Sequence, residues 1–181
     1  MRIKSLFGRD PAGTAARALY AAIVAQARLP VFYRSFGVPD TLDGRFDMIV
    51  LHAFLVLHRL KRDGQGQGAV AQALFDLMFA DMDASLRELG VGDLSVGKKI
   101  RQMATGFYGR VAAYEEGLAA PDDAALRDAL ARNLYGTVEP APAQVASMAG
   151  YVRRQAVALG AVPAERFLAG QLDFASMAEA P

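Results

Sequence analysis

Cysteine and tryptophan are absent from the 181 residues, and there are only two histidines. The missing cysteines exclude disulfides, thiol catalysis and every cysteine-ligated metal site, and they suit a reducing compartment. An excess of charge of one sign is also lacking. Twenty Lys and Arg stand against 19 Asp and Glu, for a net charge of +1, which is not the basic surplus with which a general nucleic-acid binder neutralises phosphates. There is no long hydrophobic run. The strongest, Met48 to Leu57, is interrupted by His52 and bracketed by Asp47 and Arg59. It is about half of the roughly 20 apolar residues that a membrane span needs, so it reads as a buried helix. The first nine residues place Arg2, Lys4 and Arg9 around Ile3, Leu6 and Phe7 without the apolar run of a secretory signal, so no export is expected. Their charges suit a peripheral contact with an anionic bilayer.

What the chain does contain is 53% hydrophobic residues, many of them alanine, and 22% charged residues, the composition of a folded helical protein. The length fits one domain with one core. Apolar residues recur at helical spacing throughout, and no segment alternates with the two-residue period of a half-buried strand. The expected fold is all-α, a single-domain multi-helix bundle of about six to seven helices. The expected organisation is a flexible basic N-terminus over 1–10, a helical domain over 11–160 and a C-terminal tail over 161–181 with at most a short helix.

A first helix is predicted from Pro11 or Thr14 to Leu29 with Asp10 as its cap, followed by an aromatic connection from Phe32 to Asp40, with an ordered arm packed across the groove as the alternative. Thr41 caps a second helix to Arg62, apolar on more than one side and therefore central. The alternation Gly64, Gly66, Gly68 follows a helix, not a strand, and lacks the Lys-Ser/Thr of a phosphate loop, so it reads as a linker. A third helix covers Ala69 to Leu89 with a Phe75, Met78, Met82, Leu86, Leu89 stripe. A fourth, capped by Ser95, repeats Val96, Ile100, Met103, Phe107, Val111, Tyr114 and Leu118. Gly106 and Gly109 beside Arg110 suggest a close helix approach there. Pro121 opens a fifth helix to Tyr135, and a sixth covers Ala143 to Leu159. The tail adds a turn or two from Val162 and frays, since Ala175 to Pro181 has nothing to bury.

Catalytic candidates fail on geometry. His52 and His58 are six residues apart, about 120° around a helix, and cannot share a metal as an i, i+4 pair can; one reads as buried with a backbone partner, the other as near the surface. Asp81 and Asp83 point some 160° apart on one helix and cannot act jointly as acid and base. The stretch from Leu74 to Tyr114 instead carries apolar backs with acidic charge on its first helix and basic charge on its second, the layout of a binding surface. No catalytic residues, metal ligands or cofactors are assigned.

The strings FDMIVLHAFLVLHRL (Phe46 to Leu60) and ALFDLMFADMDASLRELGVGDLSVGKKIRQMATGFYGRVAAYEEGL (Ala73 to Leu118), continued by Arg132-Asn133-Leu134-Tyr135-Gly136 and Ala149-Gly150-Tyr151-Val152-Arg153, resemble the ubiquinol–cytochrome c chaperone family, in its bacterial form, over most of residues 15 to 160. LRELGVGD, VGKK and FYGR in this order carry most of the specificity. The resemblance implies an all-helical, non-catalytic assembly factor of the respiratory cytochrome bc1 complex that engages newly made cytochrome b or another bc1 assembly intermediate in the bacterial cytoplasm, peripherally at the inner membrane. It also implies that mitochondrial members work with a partner subunit at the ribosome, a contact that nothing in these residues identifies. Such a client needs an amphipathic groove with charged edges. The expected surface has Asp81, Asp83, Arg87 and Asp93 on one edge, Lys98, Lys99 and Arg110 on the other, and Tyr108 as anchor. The competing expectations are a helical module holding a quinone or haem, with His52 as axial ligand, and a homodimeric scaffold burying its Phe/Met stripe. Some of the charges would alternatively bridge one another internally.

Overall fold

Asp10 sets the start of the first helix. Its carboxylate accepts the Gly13 N–H at 2.9 Å, satisfying a donor that the first turn leaves free, and Pro11 supplies a helical φ at the next position. In the computed structural model, which describes residues 10–62 and 67–177, eight helices follow in order: α1 Pro11–Ala27, α2 Pro30–Arg34, α3 Leu42–Arg62, α4 Gly68–Glu88, α5 Asp93–Ala119, α6 Ala124–Leu134, α7 Pro142–Ala161 and α8 Ala164–Leu168. The all-α expectation of about six to seven helices holds, with six long helices, the short helix α8 where the tail was expected to add a turn or two, and a further short helix, α2. The basic N-terminus and most of the glycine alternation lie outside the described residues.

The helix α3 is the centre. Met48 to Val56 are buried without a break, as the apolar second side of this helix requires, and α1, α4, α5, α6 and α7 all pack against it. Thr41 caps it, its hydroxyl accepting the Gly44 N–H at 3.1 Å. The short α2 was not expected. Pro30 at its first position and the aromatic side chains that follow turn the connection inward, so Phe32 and Phe36 are buried against Tyr151, with Phe32 also against His52. This corrects the picture of an arm lying across a groove. Phe36 is further anchored by its carbonyl, which accepts the Tyr135 hydroxyl at 2.8 Å.

Two other expectations change. Ser95 does not cap α5; Gly92 does, its carbonyl accepting Ser95 and Val96 N–H groups at 2.8 and 3.1 Å, and the helix begins at Asp93, whose carboxylate suits the positive end of the helix. The close helix approach is not at Gly106 or Gly109. At Gly109 an added Cβ meets nothing within 4 Å, and at Gly106 only the Arg110 side chain of its own helix, whereas at Gly117 it would come within 2.7 Å of the Leu126 Cα. That is where α6 folds back onto α5.

Three arginines and one glutamine close the structure. Buried Arg59 donates to the Leu159 and Val162 carbonyls at 2.9 and 2.7 Å and lies 5.3 Å from the Phe167 ring centroid, fixing the end of α7 and α8. Arg153 on α7 donates to the Asp123 carboxylate and to the carbonyls of Gly117, Leu118, Ala120 and Asp122. Arg110 joins α5 to α3 through Asp47. Over Ala175 to Met177 the tail is held where fraying was expected; the rest of that stretch, to Pro181, lies outside the described residues. Gln155 holds Ala175 by both backbone groups at 2.9 Å, Phe174 packs edge-on to His52, and Met177 lies 3.7 Å from the Gln26 amide. A buried glutamine that pairs as a strand would was the means of burial that the tail's own composition did not reveal.

Candidate functional site

The apolar stripe of α4 does not end in the core. Met78 and Met82 are buried, but Leu86 is half-buried and Leu89 is 59% exposed. Facing it, α5 presents Lys99, Gln102, Met103 and Arg110 at intervals that keep them on one side of the helix, and the first turns of α3 present Leu42, Asp43, Phe46 and Asp47. These residues line an open cleft of about 480 Å³. Leu42, at 60% exposure, stands at its mouth.

Charge is concentrated on the cleft floor. Arg110 Nη2 lies 2.9 Å from Asp47 Oδ1, with the side chains 25% and 14% exposed. The Asp47 carboxyl is pushed up to about 6, chiefly because burial disfavours its charged form; Arg110 opposes this and the neighbouring Asp43 adds to it. The fully buried Tyr114, one turn further along α5, carries its hydroxyl among the same charges, and burial followed by the field of Asp47 holds it protonated. A smaller cavity of about 280 Å³ shares Asp43, Asp47 and Arg110 and extends past Arg132, Asn133 and Thr137.

The eight residues singled out from sequence do not share one surface. Lys99 and Arg110 are in the cleft wall. Asp83, Arg87 and Asp93 form one network at the α4–α5 tip, with Arg87 Nε 2.5 Å from Asp83 and its Nη1 bonded to Asp93. This is the internal bridging that the sequence reading held open. The tip itself is fixed by Gly90 at φ +80°, which lets Gly90 and Val91 donate to the Arg87 and Leu86 carbonyls at 2.9 and 3.0 Å, the Schellman closure of a helix. Lys98 is exposed beside it. Asp81 faces away, accepting the Tyr20 hydroxyl of α1 at 2.7 Å. Tyr108, 60% exposed, stacks on Phe75 with ring centroids 5.6 Å apart. It is two residues from Arg110, hence about 160° away around α5, so the two do not share a face.

Sequence reasoning passed over Phe46, Asp47, Leu86, Leu89 and Met103 as site residues. A signal was present in Asp43 and Asp47, two carboxylates one turn apart bracketing Phe46 at the start of an otherwise apolar helix. His52 is placed as the buried member of the histidine pair: with Nδ1 2.8 Å from the Met48 carbonyl, it must donate there and accept the Tyr151 hydroxyl on Nε2 at 2.7 Å. Tyr151 in turn accepts the Gln26 amide at 3.1 Å. Both ring nitrogens are committed within the core, so an iron on either would have to break one of these bonds. Among the described residues no three His, Cys, Asp or Glu side chains gather into a metal-holding group, and no helix is long and apolar enough to cross a membrane.

Known proteins align with this architecture. A family model described as ubiquinol-cytochrome C chaperone matches residues 34–174. Ubiquinol-cytochrome-c reductase complex assembly factor 1 of Xenopus laevis is 27% identical over 154 residues, 85% of this chain and 76% of that protein. The Mus musculus factor of the same name is also 27% identical, over 85% of this chain and 52% of its own length, and mitochondrial protein CBP3 of Saccharomyces cerevisiae is 27% identical over 79% of this chain and 44% of its own. The chain thus spans about half the length of the mouse and yeast relatives. The crystal structure of the Cbp3 homolog from Brucella abortus superimposes with a TM-score of 0.82 at 40% identity, covering 92% of this chain and 91% of that one. The family-model match over α3 to the tail and this superposition of nearly the whole bundle agree: the chain belongs to the ubiquinol–cytochrome c chaperone family.

Proposed function

We propose that this chain is a non-catalytic assembly chaperone of the cytochrome bc1 complex, and that it receives newly made cytochrome b in the cleft between α3, α4 and α5. The observation that carries the reading is the cleft itself: an open apolar trough, walled by Phe46, Met82, Leu86, Leu89 and Met103 and floored by an ion pair. An apolar helix of a nascent membrane protein fits such a trough through side chains at helical spacing. The two methionines let the wall repack around different sequences. Fully covering a large apolar side chain contributes about 1.5–3 kcal/mol, so the exposed Leu42 and Leu89 would supply much of the affinity. Lys98, Lys99 and the Asp83–Arg87–Asp93 network edge the trough at the hairpin tip, where they would meet the charged loops of the client. Tyr108, stacked on Phe75, offers a second, aromatic contact on the opposite flank of α5. The bacterial cytoplasm, at the inner face of the membrane into which cytochrome b inserts, is the compartment this reading requires.

The test is in the cell and in a capture assay. Deleting the gene should lower cytochrome b and the haem b spectrum of membranes while other respiratory complexes persist. Tagged wild-type chain should retain cytochrome b, and Leu86→Glu with Leu89→Glu should lose it. Normal bc1 content in the deletion strain would refute the assembly role; full capture by the double variant would refute the cleft alone.

A further inference from the structure

A second concave site lies on the other flank of α3. Arg28 at the end of α1, Pro30, Tyr33 and Arg34 of α2, Asp40 of the following loop and Arg45 of α3 enclose a hollow of about 360 Å³. Arg45 is about 160° from both Asp43 and Asp47 around α3, so the hollow opens away from the cleft. Its electrostatics are one-sided: three guanidinium groups face one carboxylate, and that carboxylate is taken, Asp40 Oδ1 lying 2.7 Å from Arg45 Nε. Neither Arg28 nor Arg34 forms an ion pair among the described residues. Arg45 and Arg28 both act on the Tyr33 hydroxyl, which burial chiefly raises, and Arg34 lines the same hollow.

The backbone has been kept from competing. The end of α1 leaves carbonyls free, which would make the hollow negative, but Tyr33 donates its hydroxyl to the Ala27 carbonyl at 2.8 Å and so covers one of them. What remains is a hollow offering planar, forked donors with apolar packing from Pro30 and the Tyr33 ring. Guanidinium forks match a tetrahedral oxyanion in two-point contacts better than any other side chain. Fold closure does not explain Arg28 and Arg34, because neither reaches a carbonyl as Arg59 and Arg153 do.

We propose that this hollow binds a phosphate ester, held by Arg28 and Arg34 with Arg45 as a third, partly neutralised contact. Two sources share this chemistry: a phospholipid headgroup and a small soluble phosphate ester. A lipid source would seat the chaperone on a membrane by one flank of α3 while the other flank holds its client.

The experiment uses the full chain. Glycerol 3-phosphate is titrated calorimetrically, and co-sedimentation is measured with phosphatidylcholine vesicles with and without phosphatidylglycerol. Arg28→Gln with Arg34→Gln should weaken binding at least about ten-fold, the scale of lost charged hydrogen bonds. The charge-matched control Arg101→Gln with Arg127→Gln should not. Asp40→Asn, which frees Arg45, should bind tighter, a gain that damage to the fold cannot mimic. Binding of glycerol 3-phosphate and of anionic vesicles, both lost in the double variant, supports the site with lipid as its source; binding of glycerol 3-phosphate alone supports it with a soluble ligand. The proposal is overturned if neither probe binds, if the double variant binds as the wild type does, or if Asp40→Asn brings no gain. Vesicle binding unaffected by the double variant would assign membrane contact to the basic residues Arg2, Lys4 and Arg9 instead.

Discussion

Two side chains on α3, the half-buried Asp47 and the fully buried His52, give the protein opposite responses to pH. Asp47 has a carboxyl raised to about 6 in the fold, so between its unfolded pKa near 4 and that value the native state holds more protons than the unfolded state, and stability falls as pH rises. His52 is lowered to about 4 by complete burial, against the opposing hydrogen bond to Met48. Between that value and its unfolded pKa near 6.5 the unfolded state binds more protons, so stability rises with pH. The two slopes oppose each other between about pH 4 and 6, and the wild-type stability curve is expected to be shallow there. Asp47→Asn removes one side of the balance. Its unfolding free energy, read from urea titrations, should climb steeply from pH 4 to 6.5, by roughly 1–3 kcal/mol relative to the wild-type trend. A variant curve parallel to the wild type would show that Asp47 titrates normally. The same logic bears on the cleft: an apolar client closing over Asp47 desolvates it further and favours proton uptake, so capture should strengthen as pH falls from 7 towards 6, and Asp47→Asn should abolish that trend.

Where helices meet, single groups stand in for larger interfaces. Arg153 uses one side chain to satisfy carbonyls at the end of α5 and the Asp123 carboxylate before α6. Arg153→Ala would leave several of these acceptors facing a void, and with each charged hydrogen bond contributing about 1.5–3 kcal/mol, the expected loss is at least about 2 kcal/mol, read as a lower urea midpoint. Arg153→Lys should recover only part of it, since one ammonium cannot span five acceptors. Gly117 poses the reverse case. In an isolated helix an alanine there would gain roughly 0.8–1 kcal/mol in propensity. Here its Cβ would come within 2.9 Å of the Leu126 backbone nitrogen, and forcing two packed helices apart costs about 1–3 kcal/mol. Gly117→Ala should therefore destabilise by up to about 2 kcal/mol, whereas Gly109→Ala, with open space at its Cβ, should be neutral or stabilising. Thermal melts of the pair separate steric crowding from propensity.

On the scale of the whole molecule, α3 works as a partition. Its middle is buried on all sides, and its first two turns divide the surface into an apolar cleft towards α4 and α5 and an arginine-lined hollow towards α2. Substitutions on the two flanks should be separable: Leu86→Glu with Leu89→Glu should lose cytochrome b capture and keep phosphate-ester binding, and Arg28→Gln with Arg34→Gln should do the opposite. Tyr108→Ala tests whether the aromatic flank of α5 adds to capture, with about a ten-fold loss expected if it is an anchor of the usual strength. Loss of both activities from either substitution pair, with helix content intact by circular dichroism, would mean that the two sites are coupled through α3.

By itself the sequence determined the helices apart from the short α2, the centrality of α3, the caps at Asp10 and Thr41 and the buried histidine. Each follows from period, from local hydrogen-bonding chemistry or from an uninterrupted apolar surface, all short-range properties. It also singled out the α4–α5 hairpin, which forms one side of the cleft proposed for the client, because apolar stripes and segregated charge on a helix are local properties. Only the tertiary structure decided which of those charges share a face. Asp81 turns to Tyr20 of α1, Arg87 ties Asp83 to Asp93, and Arg110 finds Asp47 from a helix more than sixty positions earlier in the chain. Such pairings depend on how helices are rotated and stacked. Rotation and stacking are fixed by long-range contacts, such as Leu126 against Gly117 and Tyr151 against His52, that leave no periodic trace in the sequence.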